Sequence, residues 1–107
     1  MPAARYVHKR ARYKRCCYCE RVLLPGEVTR EHIIPKSRGG RITRPCCLTC
    51  NREKKNMMLI DYVCYLHLKL KLVRKPVKVN RVKRQLRNAI KYLLALYPGE
   101  YDFIYKH

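Results

Sequence analysis

Between residues 57 and 73 the apolar positions Leu59, Tyr62, Val63, Leu66, Leu70 and Val73 recur at steps of three and four. That is the period of one helix face. The end of the run, LHLKLKL, also alternates with period two, as a strand would; the longer period governs, and a helix is expected. Pro76 in RKPVKV reads as a break. Asn80 is a suitable N-cap for a second helix over roughly residues 81–97, closed by Pro98-Gly99. Val82, Leu86, Ala89, Ile90, Leu93 and Tyr97 form its apolar stripe, while Arg84, Arg87 and Lys91 form a basic one elsewhere on its surface. Upstream the pattern changes. CCYCERVLLPGEVTREHIIP reads as a knuckle, a short strand, a turn at Pro25-Gly26 and a second strand ending near Ile34. SRGGR is a loop, and LTCNREKKN begins a short helix.

A chain of 107 residues holds one domain with extensions. So small a core gains from a staple such as a metal. Charge narrows the partners: 26 Lys and Arg stand against seven Asp and Glu, a formal net charge of +19. Such an excess attracts a polyanion in a salt-dependent way. Nucleic acid is the expected partner, DNA first and RNA second. A membrane is not expected, because no apolar run is long enough to span one and MPAARYVHKR has no signal-peptide core. An intracellular location follows as an expectation. Residues 1–15 carry six Lys and Arg and no acid, and read as a mobile basic arm.

The cysteines change the picture further. Six of the seven fall in two tight clusters, Cys16, Cys17 and Cys19, then Cys46, Cys47 and Cys50. The odd total argues against a disulfide framework. Cys16 and Cys19 are spaced C-x-x-C, as are Cys47 and Cys50. Two such pairs supply four thiolates for one tetrahedral zinc, each on a tight turn whose backbone amides face the sulfurs. Cys17 and Cys46 are bystanders by spacing, with Cys46 the alternative to Cys47 if the second turn is irregular. Cys64 falls on the apolar helix and is expected in the core.

Between the knuckles lies an acid beside a histidine, in a chain poor in both. Cys-Cys-Tyr-Cys at 16–19, Glu-His-Ile-Ile-Pro at 31–35, Ser-Arg-Gly-Gly at 37–40 and Cys-Leu-Thr-Cys-Asn at 47–51, with Lys54 following, together resemble the zinc-stapled HNH endonucleases. The resemblance implies a β-hairpin followed by a helix, with a catalytic cation between them. Glu31 would match the acidic metal ligand, His32 the general base and Asn51 a second metal ligand. The implied cofactors are a structural Zn²⁺ and a catalytic Mg²⁺ or Mn²⁺. A hard cation takes carboxylate, amide and phosphate oxygens, and a neutral imidazole can accept a proton from water at cellular pH. Strand neighbours point to opposite faces, so Glu31 and His32 share a site only if the backbone bends; Pro35 and Gly39-Gly40 suit such a loop.

One position departs from the family. The middle asparagine, which braces the loop carrying the base, is absent: its place falls near Ile42 or Thr43, and the loop from Gly40 to Cys47 is short. Thr43 or Ser37 are the hydroxyl substitutes within reach of that role. His8, His67 and His107 receive no role. The expected fold is α+β: a small ββα-metal, treble-clef-like core over residues 16–56, preceded by the basic arm and followed by a helical extension over 57–107 with a basic face. Two functions are carried forward. The first is a metal-dependent endonuclease. The second is a silent zinc module that binds RNA or DNA, as part of a larger nucleoprotein particle. In either, the backbone is gripped by Lys9, Arg10, Arg12, Lys14 and Arg15 in the arm, by Lys36, Arg38, Arg41 and Lys54 around the motif, and by Arg84, Arg87 and Lys91 on the last helix.

Overall fold

The computed structural model describes residues 13–101. Expected contacts at Lys9, Arg10 and Arg12 lie outside these residues, as do His8 and His107. Two antiparallel hairpins come first. β1 (Lys14–Arg15) pairs with β2 (Val22–Leu23), and β3 (Thr29–His32) pairs with β4 (Thr43–Cys46). Three helices follow: α1 (Leu48–Lys54), α2 (Leu59–Leu72) and α3 (Pro76–Leu96). The architecture is mixed α+β, as expected.

The pairing corrects the sequence reading. The segments flanking Pro25-Gly26 do not pair with each other, because Pro25–Glu27 forms a 3-10 turn that leads from one hairpin into the next. The first knuckle instead folds β2 back on β1, so Lys14 and Arg15 belong to a strand and not to the arm. The second loop folds β4, a strand not foreseen, back on β3. That loop is tight. Gly39 sits at φ 83°, and a Cβ on Gly40 would lie 1.7 Å from the Ile34 carbonyl oxygen. Backbone bonds close it: Gly40 N–H donates to Pro35 O at 3.1 Å and Ile33 N–H to Ile42 O at 3.2 Å.

The helices follow their apolar periods. Leu59, Tyr62, Val63 and Leu66 of α2 are buried, as are Val82, Leu86, Ala89 and Leu93 of α3. They join the knuckle cysteines, Tyr18, Leu23 and Ile33 in one core. Two expectations fail here. The expected break is present at residues 73–75, but Pro76 itself begins α3, since proline's fixed φ suits a first helical position where no N–H is needed; Asn80, expected as the cap, is therefore interior to the helix. Cys64 is exposed, because Tyr62, Val63 and Leu66 already define the buried face and Cys64 falls beside it. No helix among the described residues is long and apolar enough to cross a membrane.

Candidate functional site

The two C-x-x-C knuckles converge. The sulfurs of Cys16, Cys19, Cys47 and Cys50 all lie within 4.8 Å of one another, and all four residues are buried. Zn–S bonds of about 2.3 Å in a tetrahedron put neighbouring sulfurs about 3.8 Å apart, and Cys19 and Cys47 Sγ are 3.8 Å apart. The donor set therefore fits zinc. The backbone supports it: Tyr18 N–H points at Cys16 Sγ at 3.5 Å and Cys50 N–H at Cys47 Sγ at 3.4 Å. Cys46 is buried at the end of β4, 3.9 Å from Cys16 Sγ, but stays outside the group of four. Crowding divides the thiols. Hydrogen bonds from Cys17, Cys19 and Cys46 hold Cys16 far below the ordinary thiol range, while Cys46 and Cys50, bonded to that thiolate, are pushed far above it. A divalent cation is what lets four ligand sulfurs share one space as thiolates.

Helix α3 completes this centre from more than thirty residues away. Gln85 Nε2 lies 3.2 Å from Cys50 Sγ and also donates to Glu53 Oε1 at 3.0 Å. Arg81 Nη2 lies 3.3 Å from the same sulfur. Aiming the Gln85 amide at two acceptors leaves its Oε1 as the buried side-chain atom without a partner among the described residues. One turn further along, α3 holds the first knuckle. Arg84 Nε donates to Cys19 O at 2.9 Å, Asn88 Nδ2 to Tyr18 O at 2.8 Å, and Arg87 reaches the Glu20 carboxylate at 2.8 Å. Glu20 is held at φ 69° in that turn. Arg84 and Arg87, expected on a nucleic-acid face, thus point at the knuckle. Lys91 remains exposed, as do Arg15, Lys36, Arg38 and Arg41.

The acid-histidine pair is arranged differently. β3 alternates, so Thr29 and Glu31 face α1 while Arg30 and His32 take the other side. The bend expected to unite Glu31 with His32 comes after His32 and does not turn either residue. Glu31 is 2 % exposed. Its Oε2 accepts from Tyr18 OH at 2.9 Å and pairs with Lys54 Nζ at 2.7 Å. Lys54 is fully buried and donates to His32 O at 3.3 Å. This corrects Lys54 as a contact for nucleic acid: it stands four residues after Cys50 on α1, so the helix turn that buries one buries the other. Asn51 also faces β3, where its Nδ2 donates to Thr29 Oγ1 at 2.9 Å and to Arg30 O at 3.3 Å. His32 is half-buried, with Thr43 directly opposite in register. Of the two hydroxyls considered as stand-ins for the missing asparagine, Thr43 is thus beside the histidine, whereas Ser37 is exposed in the loop turn.

A positive charge therefore sits in the seam between β3 and α1, held by a carboxylate and a backbone carbonyl. Those oxygens are the donors a hard cation takes, but the Lys54 ammonium already fills the place. Among the described residues no second group of His, Cys, Asp or Glu converges as the four cysteines do.

The chain's relationships agree with this geometry. Residues 16–60 match the family described as HNH endonuclease. This segment belongs to that family. The HNH match begins at the first cysteine of the group of four and ends inside α2, so α3, which brings Arg81 and Gln85 to those cysteines, lies beyond it. No curated protein and no solved structure matches the chain. The HNH match points to a nuclease-like or nucleic-acid-related function.

Proposed function

We propose that the protein is an HNH-type endonuclease that hydrolyses phosphodiester bonds in nucleic acid, with DNA as its first substrate. The observation that carries this reading is the cation-holding seam. Glu31 on β3 and Asn51 on α1 enter it from opposite sides, where the family's fold implies a catalytic cation, and His32 borders it through its carbonyl. In this reading Lys54 keeps the seam neutral until a divalent cation takes its place beside Glu31. Mg²⁺ or Mn²⁺ held by Glu31 and Asn51 would stabilise charge on the scissile phosphate and the leaving oxygen. His32, whose ring leaves the opposite side of β3 at the strand's last residue, takes the proton from a water that attacks around that end of the strand. Thr43 orients that ring from the facing strand, in the role of the absent asparagine.

One observation favours the second reading, a silent module that binds nucleic acid. The Glu31–Lys54 pair is almost wholly buried, with side chains 3 % and 0 % exposed, and separating such a pair is costly. Plasmid cleavage decides between them. The zinc-loaded chain should nick DNA with Mg²⁺ or Mn²⁺, and His32→Ala should cut that rate by roughly 100- to 10,000-fold while keeping zinc content and DNA affinity. Wild-type protein that binds DNA but fails to nick it with any of Mg²⁺, Mn²⁺, Ni²⁺ or Co²⁺ leaves the binding module as the function.

A further inference from the structure

Three cations near the knuckles are committed to carboxylates. Arg87 pairs with Glu20, Arg21 with Glu27 and Lys54 with Glu31. Beside β3 and β4 the balance is reversed. A hollow of about 230 Å³ is bordered by Lys14 of β1, Arg30 of β3 and Arg44 of β4. None of the three takes part in an ion pair among the described residues, and no acid lines the hollow. Arg30 and Arg44 are absent from the contacts expected from sequence.

Backbone pairing sets these three residues around the hollow. The knuckle is tied to the second hairpin by the Cys17 N–H bond to Pro45 O at 2.9 Å, which places β1 alongside β4. Arg30 stands opposite Pro45 in the β3–β4 register and Arg44 opposite Glu31, so the two guanidiniums leave the hairpin from opposite sides and flank the hollow rather than meet in it. Glu31 could have neutralised Arg44, but its carboxylate is turned into the seam with Lys54 and Tyr18. Arg44 is steadied instead by its Nη1 bond to Thr43 O at 3.0 Å, which leaves the rest of its planar fork for an outside acceptor. All three side chains are exposed. Three unpaired like charges raise the local positive potential, which favours an anion there. A guanidinium fork matches the paired oxygens of a phosphodiester. Thr43 also lines the hollow and is the cross-strand partner of His32, so a backbone lying in it runs one residue pair from the imidazole.

We propose that Lys14, Arg30 and Arg44 form a binding site for the phosphodiester backbone of nucleic acid, guiding the strand toward His32. The site rests on the nucleic-acid half of the function above and needs no cleavage. Its test is therefore a binding measurement on the full zinc-loaded chain, without divalent cations other than the zinc. Affinity for a short DNA duplex and for a single-stranded RNA is followed between about 50 and 200 mM salt. The variant carries Lys14→Gln, Arg30→Gln and Arg44→Gln; the control carries Lys71→Gln, Lys78→Gln and Lys83→Gln, three exposed helix lysines. Losing three phosphate contacts should flatten the slope of log K against log salt by about 2.7 for duplex DNA and about 2.1 for a single strand. For the duplex, wild type then loses about 40-fold more affinity than the variant over that salt range. Flattening with either polymer supports the site and names the strand it takes. An unchanged slope with both, or equal flattening by the helix control, overturns it. Unaltered zinc content and circular dichroism show that the variant is folded.

Discussion

The four-cysteine centre and the Glu31–Lys54 seam share helix α1, and Cys50 and Lys54 project from the same face of it one turn apart. Both gather charge that a core does not tolerate unpaired. They solve the problem in opposite ways. As thiolates the four sulfurs would meet a single guanidinium, Arg81, and one neutral amide, Gln85, leaving a negative excess of the kind a bound metal offsets. In the seam one carboxylate meets one ammonium, with a tyrosine hydroxyl and a backbone carbonyl completing their bonds. That site is stable on its own. Charge balance thus separates a centre whose donors suit a cation from one that already holds an internal cation.

The largest effect should come from breaking the first arrangement. Cys19→Ser or Cys50→Ser, or zinc withdrawal by a chelator, should unfold the chain, forfeiting on the order of 10 kcal/mol of metal-coupled folding energy. Circular dichroism alongside elemental analysis checks this, with one zinc per folded chain expected. A folded, reduced sample that contains no zinc would refute it.

The seam should respond to its two partners unequally. Lys54→Met leaves the Glu31 carboxylate buried without its cation and should cost about 3–5 kcal/mol in denaturant unfolding. The double variant Glu31→Leu with Lys54→Met removes both charges and should recover most of that loss, as hydrophobic replacements of buried pairs often do. The Lys54→Met single variant also sharpens the functional question. With Lys54 gone, Mg²⁺ or Mn²⁺ should stabilise the protein in proportion to its occupancy, provided the seam accepts a divalent cation. Stabilisation absent at millimolar metal would remove the seam as a cation site.

Helix α3 offers a smaller perturbation of the cysteine centre. Arg81→Met or Gln85→Leu should each cost about 1.5–3 kcal/mol, the range for hydrogen bonds to charged groups. Each should also speed zinc transfer to a colorimetric chelator, since the Cys50 sulfur loses a donor. Unchanged release rates in both variants would show that the contacts are incidental to the metal.

These regions were unequally legible in the sequence. The cysteine centre could be read because a tight turn and a tetrahedral ion require C-x-x-C spacing, which is local. The helix over Leu59–Leu72 was legible for the same reason, its apolar period being carried by neighbours in the chain. Lys54 was not, because a charged residue on a short helix reads as exposed until its partner is known; its spacing of four from Cys50 was the available clue. Arg81 and Gln85 could not be found by pattern, since what they touch lies 31 and 35 residues away. The knuckle contacts of Arg84 and Arg87 were hidden in the same way: a basic stripe on a helix gives no sign that another part of the chain offers it a carbonyl and a carboxylate. Glu31 beside His32 identified the family segment, but strand alternation alone set where each side chain went.

The smallest expected effect concerns Glu20, where the first knuckle meets α3. Hydrogen bonds from Asn88 and then Arg87 hold its carboxyl below the ordinary range. A lowered folded-state pKa means that its contribution to stability is present above the unfolded value, about 4.3, and is lost as pH falls through the lower folded value. Because the side chain is 39 % exposed and Arg87 65 % exposed, solvent screens the pair and the contribution is slight. A titration followed by NMR at the Glu20 carboxyl carbon isolates it from acid release of the metal. At about pH 4.3, where a free glutamate is half-protonated, Glu20 should still be mostly ionised. Asn88→Ala should move its midpoint upward more than Arg87→Ala does, because the amide bond is the larger cause and is only part-buried against the knuckle. The reverse order would make the exposed guanidinium, and not the amide that also holds Tyr18 O, the group that fixes Glu20 in its left-handed turn.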